Sequence, residues 1–344
     1  MKEKKINIEY LRVLAIILTI TIHVSNIYFY NFTKINNVGF LISVVFASIS
    51  RICVPLFFMI SGMLLIKEKF DKKKYLKRIT RFILLLIIWS IIYVITNKTL
   101  NGNILVKIVY TIFNPSKTQG HLWFMYAIIG LYISLPFIQS MCQNMNKEKE
   151  NLFLLLWGIL SGIIVILVPV ARYITKSNID IIYPIPIINA TYYLGYFICG
   201  YILGNRYEKE KNNKKINTIC IISFIISSLI TIFVTYYLSI KNNSLYEPMM
   251  WYRSMFTIIS SVSIFVLFIA NSDKFKNSLI TNISGLTFGV YLIHMIFLNI
   301  IKDNIRVISY NPIIFIPLIT ISVYLVSILS CYIIKKIPVL KKII

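Results

Sequence analysis

Long apolar runs recur along this whole chain, and they constrain its fold more than any other feature. A helix of about 20 residues spans the hydrocarbon core of a bilayer. About ten runs reach that length, at 8–30, 40–66, 79–97, 119–141, 152–174, 187–205, 217–240, 253–271, 283–301 and 311–334. Hydrophobic residues make up 58% of the 344, whereas soluble domains hold about 45–50% apolar residues. The fold class that follows is an all-α integral membrane protein. It is a bundle of about ten transmembrane helices forming one polytopic domain over 1–344. The N-terminal run carries Glu9, Arg12 and His23 and lacks a small-residue cleavage site, so it reads as a retained first span.

The net charge of +24 would suggest nucleic acid in a soluble protein. Here the cations cluster between apolar runs, and no basic face on a soluble fold is on offer. With the N-terminus inside, cytoplasmic segments hold 24 Lys+Arg and outer segments 10, and Arg12 and Arg51 within spans complete the 36. That asymmetry over short loops sets orientation. Both termini are predicted to be cytoplasmic, with the protein multi-pass in the plasma membrane and in contact with its lipids. A short amphipathic piece, Ile104–Phe113, is expected at the outer interface. The five cysteines have no CxxC spacing and read as packing residues. Gly158/Gly162, Gly200/Gly204 and Gly285/Gly289 are GxxxG pairs, suited to close helix packing. Pro55, Pro136, Pro169 and Pro317 fall inside spans and should bend them.

Ionisable side chains inside spans are costly and mark function by default. Arg12 and His23 are eleven residues apart on the first span. That spacing is about 20° of net rotation and about 16 Å of rise, so both lie on one face. An elongated ligand with an anionic head and a reactive far end would fit that stripe, although Arg12 can also pair with Glu9 at i,i+3. Arg51 falls near mid-membrane with no acidic residue at its depth. Carbonyls and water, or a ligand's anion, must satisfy it. His23, His121 and His294 are the only histidines, and all map to the outer half, where a neutral imidazole can act as a general base. No carboxylate with ligand spacing accompanies them, and no metal is expected. Arg78 and Arg81 open the third span at i,i+3 and could face one anion together. Ser61 and Gly62 are small residues near the inner end of span two, where Gly permits close approach.

At these residues the sequence resembles the membrane acyltransferase-3 family, whose members O-acylate surface glycans. IEYLRVLAIILTITIHVS is similar to the family's first span and carries Arg12 and His23. RICVPLFFMISGMLL is similar to its second-span motif, with Arg51, Ser61 and Gly62. KRITRFILLLIIW resembles the opening of span three and gives Arg78 and Arg81. HLWFMYAIIGLYISLPFI gives His121 and Trp123, and TFGVYLIHMIF gives Tyr291 and His294.

The resemblance implies a compact member of the family with no appended soluble domain. It implies an acyl-CoA co-substrate such as acetyl-CoA, no permanently bound cofactor, and His23 as the catalytic residue. Arg12, Arg51, Arg78, Arg81, Ser61 and Gly62 would serve the donor, and His121, Trp123, Tyr291 and His294 the acceptor, a glycan or lipid-linked sugar. A homo-oligomer is compatible with it. Some members carry a late acidic residue, but spans nine and ten here have none, which leaves Glu247 and Asp303 in outer loops to orient a base. Two other classes fit a ten-span bundle with a central arginine: an exporter of a surface polysaccharide or lipid-linked glycan, and a structural partner in a polymer-synthase complex.

The orientation is directly testable. A fluorescent protein fused after Ile344 should fold and fluoresce, while a phosphatase that works only outside the cytoplasm should be inactive there. The opposite pair of results would invert the topology.

Overall fold

The computed structural model describes residues 5–96, 104–113, 120–163, 167, 186–275, 277, 279–338 and 340–344. Among them every regular element is helical: α1 Ile6–Phe29, α2 Asn37–Ser50, α3 Cys53–Leu65, α4 Lys72–Thr96, α5 Ile104–Phe113, α6 Trp123–Ile133, α7 Leu135–Gln143, α8 Lys147–Trp157, α9 Pro186–Tyr207, α10 Lys214–Lys241, α11 Met255–Ala270, α12 Ile280–Ser284, α13 Thr287–Asn304 and α14 Pro312–Lys336. Helices are what the apolar runs demand, because backbone groups in lipid must bond within their own segment. Six helical stretches among the described residues are long and apolar enough to cross a membrane, and a seventh if the bent pair α6–α7 counts as one. This is a multi-pass membrane protein.

The breaks have local causes. Pro136 stands at the start of α7, where the pair bends by 59°, since a proline ring disfavours helix in the residue before it. Pro55 lies in the first turn of α3, just past the interruption after α2, and Pro317 is accommodated inside α14. Pro169 lies outside the described residues, as does most of span 152–174 beyond the π-helical turn Gly158–Ile163 that follows α8. The piece expected to be amphipathic is α5.

Burial sorts the helices. α1 is central, with Leu11, Ala15, Ile16, Ile20 and Val24 fully enclosed. It packs against α2, α3, α13 and α14. α10 and α14 instead present rows such as Ile222, Ile226, Leu229, Phe233 and Leu318, Leu325, Leu329 outward, the surface lipid tails would cover. Serine and asparagine fasten the lipid-side helix inward: Ser227 Oγ lies 2.7 Å from Ser260 Oγ, and Asn217 and Asn271 exchange amide bonds at 3.0 and 2.6 Å.

Ion pairs map one end of the bundle. Glu208 holds Lys5 and Lys67, Arg78 meets Glu68 at 3.2 Å, Arg206 meets Glu150 at 2.7 Å and Lys211 meets Asp273 at 3.4 Å. Each pair contributes little alone. Together they gather at one end the segments whose charge marked them as cytoplasmic. The opposite end is closed by Tyr28, whose hydroxyl donates to the Val307 carbonyl at 2.8 Å.

α3 and α9 meet most closely. A Cβ on Gly62 would sit 1.7 Å from the Phe197 carbonyl oxygen, and one on Gly200 would sit 2.1 Å from that of Met59. Backbones touch there because both positions lack a side chain. Gly62→Ala should therefore destabilise by at least the ~1–3 kcal/mol typical of overpacking. Gly158→Ala, with nothing within 4 Å of the added carbon, should change stability by less than ~0.5 kcal/mol. Thermal unfolding in detergent reads both, and equal melting points would refute the close-packed seam.

Candidate active site

A polar face runs up the central helix. On α1, Arg12, Thr19, His23 and Asn26 follow at spacings of seven, four and three, which keeps them on one side. The lower end is neutralised. Arg12 Nη1 binds both carboxylate oxygens of buried Glu9 at 3.0 and 3.1 Å, and Ser284 donates its hydroxyl to the same carboxylate. The alternative reading of Arg12 as the partner of Glu9 is thus realised. The upper end is not neutralised in this way.

There His23, Asn26 and Thr19 border a cavity of about 170 Å³ whose other walls include Arg51, Cys53, His121, Trp123, Tyr252 and Tyr291. Five of the residues marked in the sequence are thereby brought together: His23, Arg51, His121, Trp123 and Tyr291. His294 stands directly behind, its ring 5.4 Å from that of His23 and 5.2 Å from that of His121. No group of three or more potential metal ligands among the described residues is arranged to hold a metal ion.

Hydrogen bonds hold the backbone beside these rings, and one set holds the ring of His294 itself. Tyr291 donates to the His121 carbonyl at 2.7 Å and Tyr93 to the Leu292 carbonyl at 2.6 Å. Nδ1 of fully buried His294 lies 2.7 Å from the Tyr291 carbonyl and 3.1 Å from that of Val290. Carbonyls only accept, so Nδ1 carries the hydrogen and Nε2 the lone pair. That Nε2 has no partner, and neither do both nitrogens of His121, Arg51 Nε and Asn26 Oδ1, all buried. Buried polar atoms nearly always find partners. Unsatisfied donors and acceptors gathered around one cavity are the mark of a site built for a polar group that enters it.

The remaining carboxylates do not serve the imidazoles. Glu247 accepts from the Tyr30 hydroxyl at 3.5 Å and lies in the electrostatic range of Arg51, as do Tyr30 and Tyr252; the Arg51 guanidinium stands 5.7 Å over the Tyr252 ring. Backbone carbonyls, not an acid, orient His294. Trp123 lies 5.2 Å from the Tyr193 ring and 5.8 Å from Tyr252, forming an aromatic wall.

Other marked residues lie elsewhere. Ser61 and Arg78 are at the ion-paired end beside Tyr132, with Arg78 5.7 Å over that ring. Gly62 is consumed by packing on Phe197. Arg78 and Arg81 do not face one anion. Their partners come from different segments: Arg78 bonds Glu68 and Arg81 the Ile344 carbonyl, each 3.2 Å away. Rings connect the two ends in sequence: Tyr132 to Phe82 at 5.0 Å, Phe82 to Phe288 at 5.1 Å, Phe288 to Tyr291 at 6.0 Å and Tyr291 to His121 at 5.3 Å.

Sequence reasoning missed Thr19, Asn26, Cys53 and Tyr252. Helical spacing from His23 would have found the first two. Nothing local marks Tyr252, which the fold brings in.

A family model described as an acyltransferase domain, that of the acyltransferase-3 family, matches residues 5–332. The chain belongs to this family. The match spans nearly the whole chain, from the first turn of α1 into α14, so the cavity and all its walls fall within it. The protein is a membrane acyltransferase. No curated protein and no solved structure matches the chain.

The clamp on the imidazoles is open to test. Tyr291→Phe leaves the His121 carbonyl buried without its donor, and should cost about 1–3 kcal/mol. Thermal unfolding measures this, and an unchanged melting point would show that the bond does not hold the site.

Proposed function

We propose that this acyltransferase is an O-acyltransferase of the plasma membrane. It moves an acyl group, acetyl in the simplest case, from cytoplasmic acyl-CoA to a hydroxyl of a cell-surface glycan or lipid-linked sugar. One observation carries the reading: Asn26, Arg51 and His121, each with buried polar atoms that lack partners, line a small cavity on the same face of α1 that bears a cation at the opposite end.

Arg78 and Arg12, held by Glu68 and Glu9, are the guanidiniums for the donor's phosphates, with Ser61 beside them. Arginine suits phosphate because its planar fork bonds two oxygens at once. The pantetheine arm then runs past Tyr132, Phe82 and Phe288 and brings the thioester to the cavity. The acceptor sugar stacks on Trp123, whose neighbours Tyr193 and Tyr252 keep that wall aromatic, and presents its hydroxyl to His23.

His23 takes the hydroxyl proton as the oxygen attacks the thioester carbon. The tetrahedral oxyanion accepts from Arg51 Nε–H, which lacks an acceptor of its own. Collapse breaks the carbon–sulfur bond, and the leaving CoA thiolate takes the proton from His23, which returns the imidazole to its neutral form. His121 and His294 complete the neutral polar wall that receives the hydroxyl.

Purified protein with radiolabelled acetyl-CoA and a membrane-extracted acceptor tests this. His23→Ala should slow thioester loss by about 10²–10⁴-fold, the usual worth of a general base. Arg78→Gln should raise KM for acetyl-CoA by roughly tenfold with little change in kcat. Full turnover by His23→Ala would remove it as the base. Export of an unmodified glycan without CoA release would replace the enzymatic reading.

A further inference from the structure

A second cavity, of about 1020 Å³, opens between α4, α13 and α14 at the ion-paired end. Its walls are apolar, with Leu84, Leu85, Ile88 and Leu286 among them, and its rim carries Lys77, Arg81, Lys335 and Lys341 and no acidic residue. Elsewhere at this end cations meet carboxylates, as in Lys67 with Glu208 and Arg206 with Glu150. Among the described residues none of these four pairs with a side-chain carboxylate.

The back of the cavity is made by the chain itself. Trp89 Nε1 donates to the Ile343 carbonyl at 2.7 Å and Arg81 to the Ile344 carbonyl at 3.2 Å. Gly289 leaves room for Ile344, whose Cβ would stand 3.2 Å from any Cβ added there. The front faces outward beside Leu84, 53% exposed on α4. The opening is therefore continuous with the exposed apolar surface of α4, at the level where Leu84 gives way to Arg81 and Lys77.

We propose that this cavity binds an anionic phospholipid, its phosphate on the rim of Lys77, Arg81, Lys335 and Lys341 and one acyl chain along Leu84 and Ile88. An apolar slot whose mouth carries four cationic side chains and no acidic one matches both halves of that molecule. Clustered Lys and Arg beside a membrane-spanning helix attract anionic headgroups. A soluble phosphate would use the rim and leave the apolar slot without a partner. Arg78 does not line this cavity, and the site does not depend on the donor assigned above.

Native mass spectrometry of the full-length protein, equilibrated with equimolar phosphatidylglycerol and phosphatidylcholine in detergent, tests it. Phosphatidylglycerol should be retained preferentially. Lys77→Gln/Lys335→Gln should reduce that retention roughly tenfold, while Lys214→Gln/Lys215→Gln, with the same charge loss on α10, should not. Should the double variant fail to fold, Lys335→Gln alone, at an exposed position, should still lower retention about threefold. Equal retention of both lipids, equal loss in both double variants, or displacement of the lipid by millimolar inorganic phosphate would overturn the proposal.

Discussion

Lipid offers a polar atom no hydrogen-bond partner, so every charge or imidazole inside the bundle must be answered by another protein group or by a visitor. The protein answers its two ends differently. Its carboxylates are concentrated at one end, where Glu9, Glu68, Glu150, Glu208 and Asp273 each hold a cation. At the other, Glu247 is the acid near Arg51, carbonyls hold the His294 ring and Tyr291 holds the His121 backbone, and His294 Nε2 and both His121 nitrogens are left unanswered. The unanswered atoms define the cavity, and α1 links it to the neutralised end along one face.

The rest of the fold keeps that arrangement rigid. Backbone contact between α3 and α9 at Gly62 and Gly200 fixes the helix that carries Cys53 and follows Arg51. Tyr93 and Tyr291 tie α4 and α13 to the wall of the cavity. The proposed transfer, which joins a donor from one side to an acceptor on the other, needs such fixed groups, because preorganised dipoles do not have to reorient as charge develops. The ring series from Tyr132 to Tyr291 packs continuously between the two ends.

Much of this was legible in the sequence for physical reasons. Apolar length gave the helices, cation placement gave the common end of the loops, and helical spacing put Arg12 and His23 on one face. The motif residues His23, Arg51, His121, Trp123 and Tyr291 do converge. What could not be read was pairing across the chain. The bond from Ser284 to Glu9 joins residues 275 apart, and no local pattern announces it. Arg78 and Arg81 look equivalent at i,i+3, yet their partners, Glu68 and Ile344, come from different segments and pull them apart. Gly62 looked like a donor contact and is a packing contact, because its neighbour Phe197 lies on a helix far along the chain. The orientation of His294 by carbonyls is invisible in any side-chain pattern.

In the proposed reaction one cavity receives its acyl group from the basic end and passes it to a hydroxyl arriving from the other. Proteoliposomes with a single orientation, radiolabelled acetyl-CoA on one face and acceptor sealed on the other, measure this directly. Label should appear on the acceptor only when acetyl-CoA is on the face that carries the lysine-rich loops. Transfer that requires donor and acceptor on the same face would contradict the account.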